Sequence, residues 1–260
     1  MRWRALLRFM AAALAAAAIA IGISGHEAPR ADAGLAPAAT TTGPGPVLVI
    51  GGNRDTGLEI VRLLRARGDT VSVFVRPGSD AAAAAALGAR ILRGDALRPD
   101  DLAAAIATDR YRAVISTLGR SLTPGPRADD AGNRHATDAA RAAGLRRFVL
   151  VTVIGAGDSR DAAYFLARRA LGRVMADKTV AEDYLRASGL DYTIVRPGGL
   201  LDGPDSGRAY LTRDVGAFSW IRRADLARLV VQSLDDPRAT GRVYHAFDPG
   251  LTRFWNVPFD

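Results

Sequence analysis

Val47-Leu48-Val49-Ile50-Gly51-Gly52-Asn53-Arg54-Asp55-Thr56-Gly57-Leu58-Glu59-Ile60-Val61-Arg62-Leu63-Leu64 runs from an apolar tetrapeptide through a glycine-rich turn into a segment of helical period. Strand, turn and helix in that order make a phosphate cradle. Glycine permits the tight turn and the close approach of backbone N–H groups, and the start of the helix offers a partial positive charge to an anion. Asp55 carries the wrong charge for such a cradle. Either Asp55 or Thr56 caps the helix, Thr56-Gly57-Leu58-Glu59 having the form of a capping box, or the carboxylate weakens pyrophosphate binding, because cap and phosphate compete for the same amides.

Beyond the turn, strand and helix signals alternate. Strands are expected at Thr70–Val75, Arg90–Leu92, Ala113–Ser116, Phe148–Val153, Tyr192–Val195 and Val243–Ala246, after the first at Val47–Ile50. Helices are expected at Thr56–Arg67, with Gly68 as its stop, and at Pro99–Ala107, Asp130–Ala143 and Arg223–Leu234, with a short Ala-rich helix near Ala81–Ala86. Such alternation predicts an α/β fold: a Rossmann-type, doubly wound parallel sheet covered on both faces, in a single domain over residues 47–260.

The 260 residues, 48% of them hydrophobic, suffice for one substantial core. Basic residues outnumber acidic ones 35 to 27, giving a net charge of +8, yet they are scattered and include a single lysine, Lys178. No nucleic-acid tract is expected from that distribution. Without cysteine the chain has no disulfide, thiolate metal site or thiol nucleophile. His135 and His245 are too isolated for a metal site or triad, and Tyr111, Trp220 and Trp255 read as packing residues. At the front, Arg2, Arg4 and Arg8 precede a 15-residue apolar run, Phe9 to Ile23, with Ala31-Asp32-Ala33 as a cleavage-type tripeptide. Residues 1–33 therefore read as a signal peptide or membrane anchor, and 34–46 as a linker. The expected location is the cell envelope, exported or anchored through this segment, or the cytoplasm if the start codon is misassigned.

The turn resembles the Gly-Ala-Ser-Arg-Gly-Thr-Gly form of short-chain dehydrogenases/reductases and their NmrA-like atypical relatives, with Gly51, Arg54, Thr56 and Gly57 matching and Asp55 standing where glycine is expected. Arg93-Gly94-Asp95-Ala96, Val114-Ile115-Ser116-Thr117-Leu118-Gly119, Ala139 to Gly144, Lys178 with Glu182, and Thr193 to Gly199 follow in the family's order. The resemblance implies an NAD(P)H-binding reductase. Its cofactor contacts would be Gly51, Asn53, Arg54, Asp55, Thr56, Gly57, Arg76, Asp95 and Ala96 beside the adenine, Ser116, Thr117, Leu118 and Gly119 beneath the cofactor, then Lys178, Pro197 and Gly198.

Arg76 ends the second strand where NAD binders place an acid for the ribose hydroxyls. With Arg54 it suits a 2′-phosphate, so NADP(H) is expected in preference to NAD(H). The catalytic set is incomplete. Val153 stands where relatives often have Ser, leaving Thr152 as the nearest hydroxyl, and Val174, four residues before Lys178, stands at the Tyr position. Neither Tyr164 nor Tyr184 has the spacing that puts phenol and ammonium on one helical face. Lys178 and Thr152 are the candidate catalytic groups, Lys178 either bonding the nicotinamide ribose or lying solvated beside Asp177 and Glu182. The reading is a reductase of a small aromatic or quinone-like acceptor bound over Pro197-Gly198-Gly199. Its rival is a non-catalytic dinucleotide-sensing or assembly protein that meets a protein partner.

Overall fold

The computed structural model describes residues 45–119 and 127–252. The expected signal or anchor segment, most of the expected linker and Trp255 lie outside them. Ten strands are described: β1 (Val47–Ile50), β2 (Val71–Val75), β3 (Arg90–Arg93), β4 (Ala113–Ser116), β5 (Arg147–Val151), β6 (Asp191–Pro197), β7 (Leu200–Leu201), β8 (Tyr210–Thr212), β9 (Ile221–Arg222) and β10 (Arg242–Phe247). The α-helices are α1 (Asp55–Ala66), α2 (Ala82–Ala86), α3 (Pro99–Ile106), α4 (Asn133–Ala142), α5 (Phe165–Ala187) and α6 (Arg223–Asp235).

Eight strands form one sheet in the order β3-β2-β1-β4-β5-β6-β10-β8, parallel except for β8, which runs against β10; β7 and β9 form a separate pair. The chain winds from β1 outward to β3, then returns to place β4 on the other side of β1. That reversal opens a crevice beyond the carboxyl ends of β1 and β4, where ligands bind in open α/β sheets.

The central strands are buried on both faces, as continuous apolar runs require. Val47, Val49, Val73 and Ile115 pack with Ile60 and Leu64 of α1 and with Val230 of α6. Leu48, Ile50, Val114 and Phe148 face Leu102 of α3, Ala136 of α4 and Leu185 of α5. Each aliphatic or aromatic side chain removed from water this way contributes about 1.5–3 kcal/mol. Helix α1 buries Ile60, Val61 and Leu64, and ends at Gly68, whose φ of +91° suits glycine.

Every expected strand is present with ends shifted by at most two residues. The two- and three-residue strands β7, β8 and β9 are too short to leave a period in sequence. Helix α4 begins three residues later than expected, because a single π-turn, Ala128–Gly132, precedes it. Asn133 causes this locally: its Nδ2 donates to the carbonyls of Asp129 (2.9 Å) and Ala128 (3.2 Å).

Candidate cofactor and acceptor site

At the β1–α1 turn, Gly51 has φ +85° and a Cβ there would lie 2.9 Å from Thr117 Oγ1. A Cβ on Gly57 would stand 2.3 Å from the Gly51 carbonyl oxygen. Backbone meets backbone too closely for any side chain. Asp55 is the single non-glycine residue of positive φ (+50°) among the described residues. Its carboxylate lies 3.7 Å from Arg54 Nε and 3.7 Å from Arg223 Nε at the start of α6. The N-cap residue is Arg54, extended at φ −159° and without a side-chain capping bond, while Thr56 Oγ1 is buried with no partner. The Thr56–Glu59 capping box is therefore not formed. The two glycines make room for Thr117 and the Gly51 carbonyl, while the buried Thr56 hydroxyl without a partner and the positive end of α1 are features that suit an anion.

Arg76, just beyond β2, is exposed, as is Arg54. Asn53 Nδ2 donates to Asp80 O (2.8 Å), tying the turn to the loop after β2. A third guanidinium stands on the neighbouring strand: Arg93 Nη1 donates to the carbonyls of Pro77 (2.9 Å) and Ser79 (3.0 Å). Asp95 N donates to Asp101 Oδ2 (2.8 Å), Asp95 Oδ1 accepts from Leu97 N (2.9 Å), and His135 Nδ1 lies 2.9 Å from Ala96 O.

After β4, Thr117 Oγ1 donates to the carbonyls of Ile50 (3.1 Å) and Gly51 (3.2 Å), fixing the two strand ends together. Ser116 Oγ donates to Asn133 Oδ1 (2.6 Å). Lys178 comes in from α5 and is 5% exposed. Its Nζ donates to Leu118 O and to Val151 O (3.3 Å) and lies 3.6 Å from Asp129 Oδ1. Burial pushes its pKa down, with Asp129 and Glu182 pulling it partway back. The solvated alternative is thereby overturned: the ammonium sits inside the fold at the ends of β4 and β5. Gly119 completes the arrangement, since a Cβ there would lie 2.7 Å from Asp129 Oδ1 and 3.0 Å from Lys178 Nζ. Thr152 Oγ1 donates to Glu182 Oε1 (2.7 Å), so its proton is committed to a buried carboxylate. Glu182 is held by Arg196, which also reaches Asp158 Oδ1 (2.5 Å).

On the far side, a Cβ on Gly198 would lie 2.1 Å from Ser219 O and 3.2 Å from the Phe218 ring, and one on Gly199 would lie 2.2 Å from the Trp220 ring. Trp220 packs on the backbone of Gly199. Phe218 meets Tyr164 edge to face with ring centroids 4.5 Å apart. Tyr164, 40% exposed, has its phenol pKa raised by burial.

A family model described as NAD(P)H-binding matches residues 51–237. The chain belongs to this NAD(P)H-binding family. Its Rossmann fold is of the atypical short-chain dehydrogenase/reductase kind. An uncharacterized sugar epimerase, YhfK of Bacillus subtilis, is 31% identical over 76% of this chain and 92% of its own length. An NAD(P)H azoreductase of Xenophilus azovorans is 28% identical over 78% of this chain and 68% of its own. Among solved structures, ChuY, an anaerobillin reductase of Escherichia coli O157:H7, has 34% identity and a TM-score of 0.72 over 79% of this chain and 98% of its own.

Within this NAD(P)H-binding domain, the fold ties the turn at Gly51 to Thr117, buries Lys178 at the ends of β4 and β5, and sets Phe218 against Gly198. Sequence reasoning missed three groups. Asp129 and Arg127 carried no motif; both are buried, Arg127 Nε lying 2.5 Å from Asp177 Oδ2 and Asp129 beside Lys178. Tyr164 and Phe218 are 54 positions apart in sequence, and their pairing is purely tertiary. Arg93 was visible as part of the Gly-Asp segment but not as a third cation beside Arg76.

Proposed function

We propose that the domain is an NADP(H)-dependent reductase of a planar aromatic or quinone-like acceptor. The observation that carries this reading is the Tyr164–Phe218 pair, with Phe218 against Gly198 and Tyr164 partly exposed. The two rings already pack edge to face on each other, and the partly exposed Tyr164 ring offers a flat acceptor an aromatic surface to pack on. The azoreductase, the anaerobillin reductase and a sanguinarine reductase of Eschscholzia californica among the relatives support that substrate class.

Bound NADPH would supply a hydride. The chain's own groups do the rest. The turn around Gly51 and Gly57 seats the pyrophosphate, with the Arg54 and Arg223 charges offsetting Asp55. Arg76, Arg54 and Arg93 present forked donors to a 2′-phosphate, which supports NADP(H) over NAD(H). Lys178 would hold the nicotinamide ribose, and Tyr164 would give the acceptor its proton in place of the missing tyrosine at Val174. The basic start and apolar run of residues 1–33 support an envelope location, tested by a reporter fused after Asp260.

Titration of the protein with NADPH and NADH, followed by anaerobic turnover with a quinone and an azo dye, tests the proposal. Tight NADPH binding with measurable oxidation supports it, and Tyr164→Phe should then lower kcat at least about tenfold. Equal affinities for the two nucleotides remove the NADP preference. Binding without turnover of any acceptor favours the second reading, a non-catalytic dinucleotide sensor or assembly protein, to which the apolar Val153 and Val174 point.

A further inference from the structure

We propose that the projecting first turns of α5 dock on an anionic lipid surface. Arg169, Ala170, Leu171, Gly172 and Arg173 are five consecutive exposed residues, more than a full helical turn, so this part of α5 packs on nothing among the described residues. A helix left clear of the body ordinarily shows charge all round. Here Phe165 is 68% exposed, Leu166 55% and Leu171 39%. Phe165, Leu166, Arg169 and Arg173 fall within about 100° of one another on a 3.6-residue helix, so apolar and basic groups share one face.

Charge identifies the partner. The acids near this face already have cations: Asp161 pairs with Arg168 (2.8 Å), Asp158 with Arg196 (2.5 Å) and Asp177 with Arg127 (2.5 Å). Arg160, Arg169 and Arg173 are exposed and make no ion pair among the described residues. A second copy docked here would bring the same uncompensated arginines, and nucleic acid would leave Phe165 and Leu166 in water. An anionic bilayer surface satisfies both: headgroup charge for the arginines and the acyl boundary for the apolar side chains. The Tyr164–Phe218 contact joins this face to the loop carrying Val215, itself 46% exposed.

The chain has no cysteine, so single-cysteine labelling is clean. Full-length Leu166→Cys carrying an environment-sensitive fluorophore is mixed with vesicles of equimolar phosphatidylglycerol and phosphatidylcholine, and separately with phosphatidylcholine alone. Ala103→Cys, exposed on α3, is the control position. The expected result is a blue shift at position 166 with the anionic vesicles only. Arg169→Glu with Arg173→Glu in the same labelled chain should weaken the response at least about twentyfold. Equal shifts with both lipids, equal shifts at Ala103→Cys, or a shift that grows with protein concentration without lipid would each overturn the proposal. Far-UV circular dichroism checks folding, and Phe165→Cys replaces Leu166→Cys if the latter does not fold.

Discussion

Arg196 and Glu182 form a two-pronged ion pair that solvent does not reach: Nε lies 3.0 Å from Oε1 and Nη2 2.5 Å from Oε2, and both side chains are fully buried. Thr152 adds a third bond to the same carboxylate. Removing Glu182 leaves the buried Arg196 with Asp158 alone, and removing Arg196 leaves the Glu182 carboxylate buried without its ion-pair partner. Arg196→Met should lower stability by about 3–5 kcal/mol, and Glu182→Gln by less because Asp158 still pairs with Arg196, both read from the urea midpoint. Arg196→Met with Glu182→Leu should cost less than either single change, because no charge is left behind. A double variant as damaged as the sum of the singles would show that the pair's burial is not the governing cost.

Asp69 closes a second cluster at the opposite end of the sheet. Arg67 Nε lies 2.6 Å from Asp69 Oδ2 and Arg112 Nη2 2.9 Å from Asp69 Oδ1, and the same two arginines each hold Asp235 at 2.5 Å. Burial alone would raise the Asp69 pKa, but hydrogen bonds from Arg67, Gly45 and Arg112 outweigh it and hold the carboxyl below its ordinary 3.8. The unfolded chain therefore takes up this proton first as pH falls. The stabilisation is present above pH 3.8 and is lost as pH drops through the folded-state value. Asp69→Asn should reduce stability at pH 7 and flatten the acid limb by up to about 1.4 kcal/mol per pH unit. Denaturation midpoints for both proteins from neutral to acid pH check this, and parallel limbs would contradict it.

Gly57→Ala sets helix propensity against packing. Propensity alone favours alanine in α1 by about 1 kcal/mol, but its Cβ would stand 2.3 Å from the Gly51 carbonyl oxygen. The backbone of the turn must shift. The variant should lose stability and bind NAD(P)H at least about tenfold more weakly, as measured by calorimetric titration. Retained affinity would mean that the turn is not the pyrophosphate seat.

Asp55 holds φ +50° where the family's pattern has glycine. Left-handed backbone costs a non-glycine residue about 1–2 kcal/mol, less for Asp than for Ala. Its ion pairs with Arg54 and Arg223, at 3.7 Å and partly exposed, return little. Asp55→Gly should leave stability unchanged or raised by up to about 1 kcal/mol and tighten NADPH binding. Asp55→Ala should destabilise the fold. Thermal melts with and without NADPH rank the three proteins, and a tighter-binding wild type would assign the carboxylate a positive role.

Apolar runs, their alternation with helical segments and a glycine turn after the first strand determined the fold and the family, because burial on two faces writes continuous strands into sequence. Gly51, Gly57, Lys178 and Gly198 were legible for the same reason: each stands at a fixed offset from a strand or helix end. Asp55 was legible as an oddity, and tertiary structure decided its meaning by setting Arg223 against it while leaving Thr56 without a partner. The capping box was equally plausible in sequence and failed because the chain enters α1 in extended form at Arg54. Tertiary structure alone decided that Lys178 is buried, that Thr152 serves Glu182, and that Tyr164 meets Phe218. Those outcomes depend on how α5 lies across the ends of β4, β5 and β6, a three-dimensional contact that no local pattern of residues encodes.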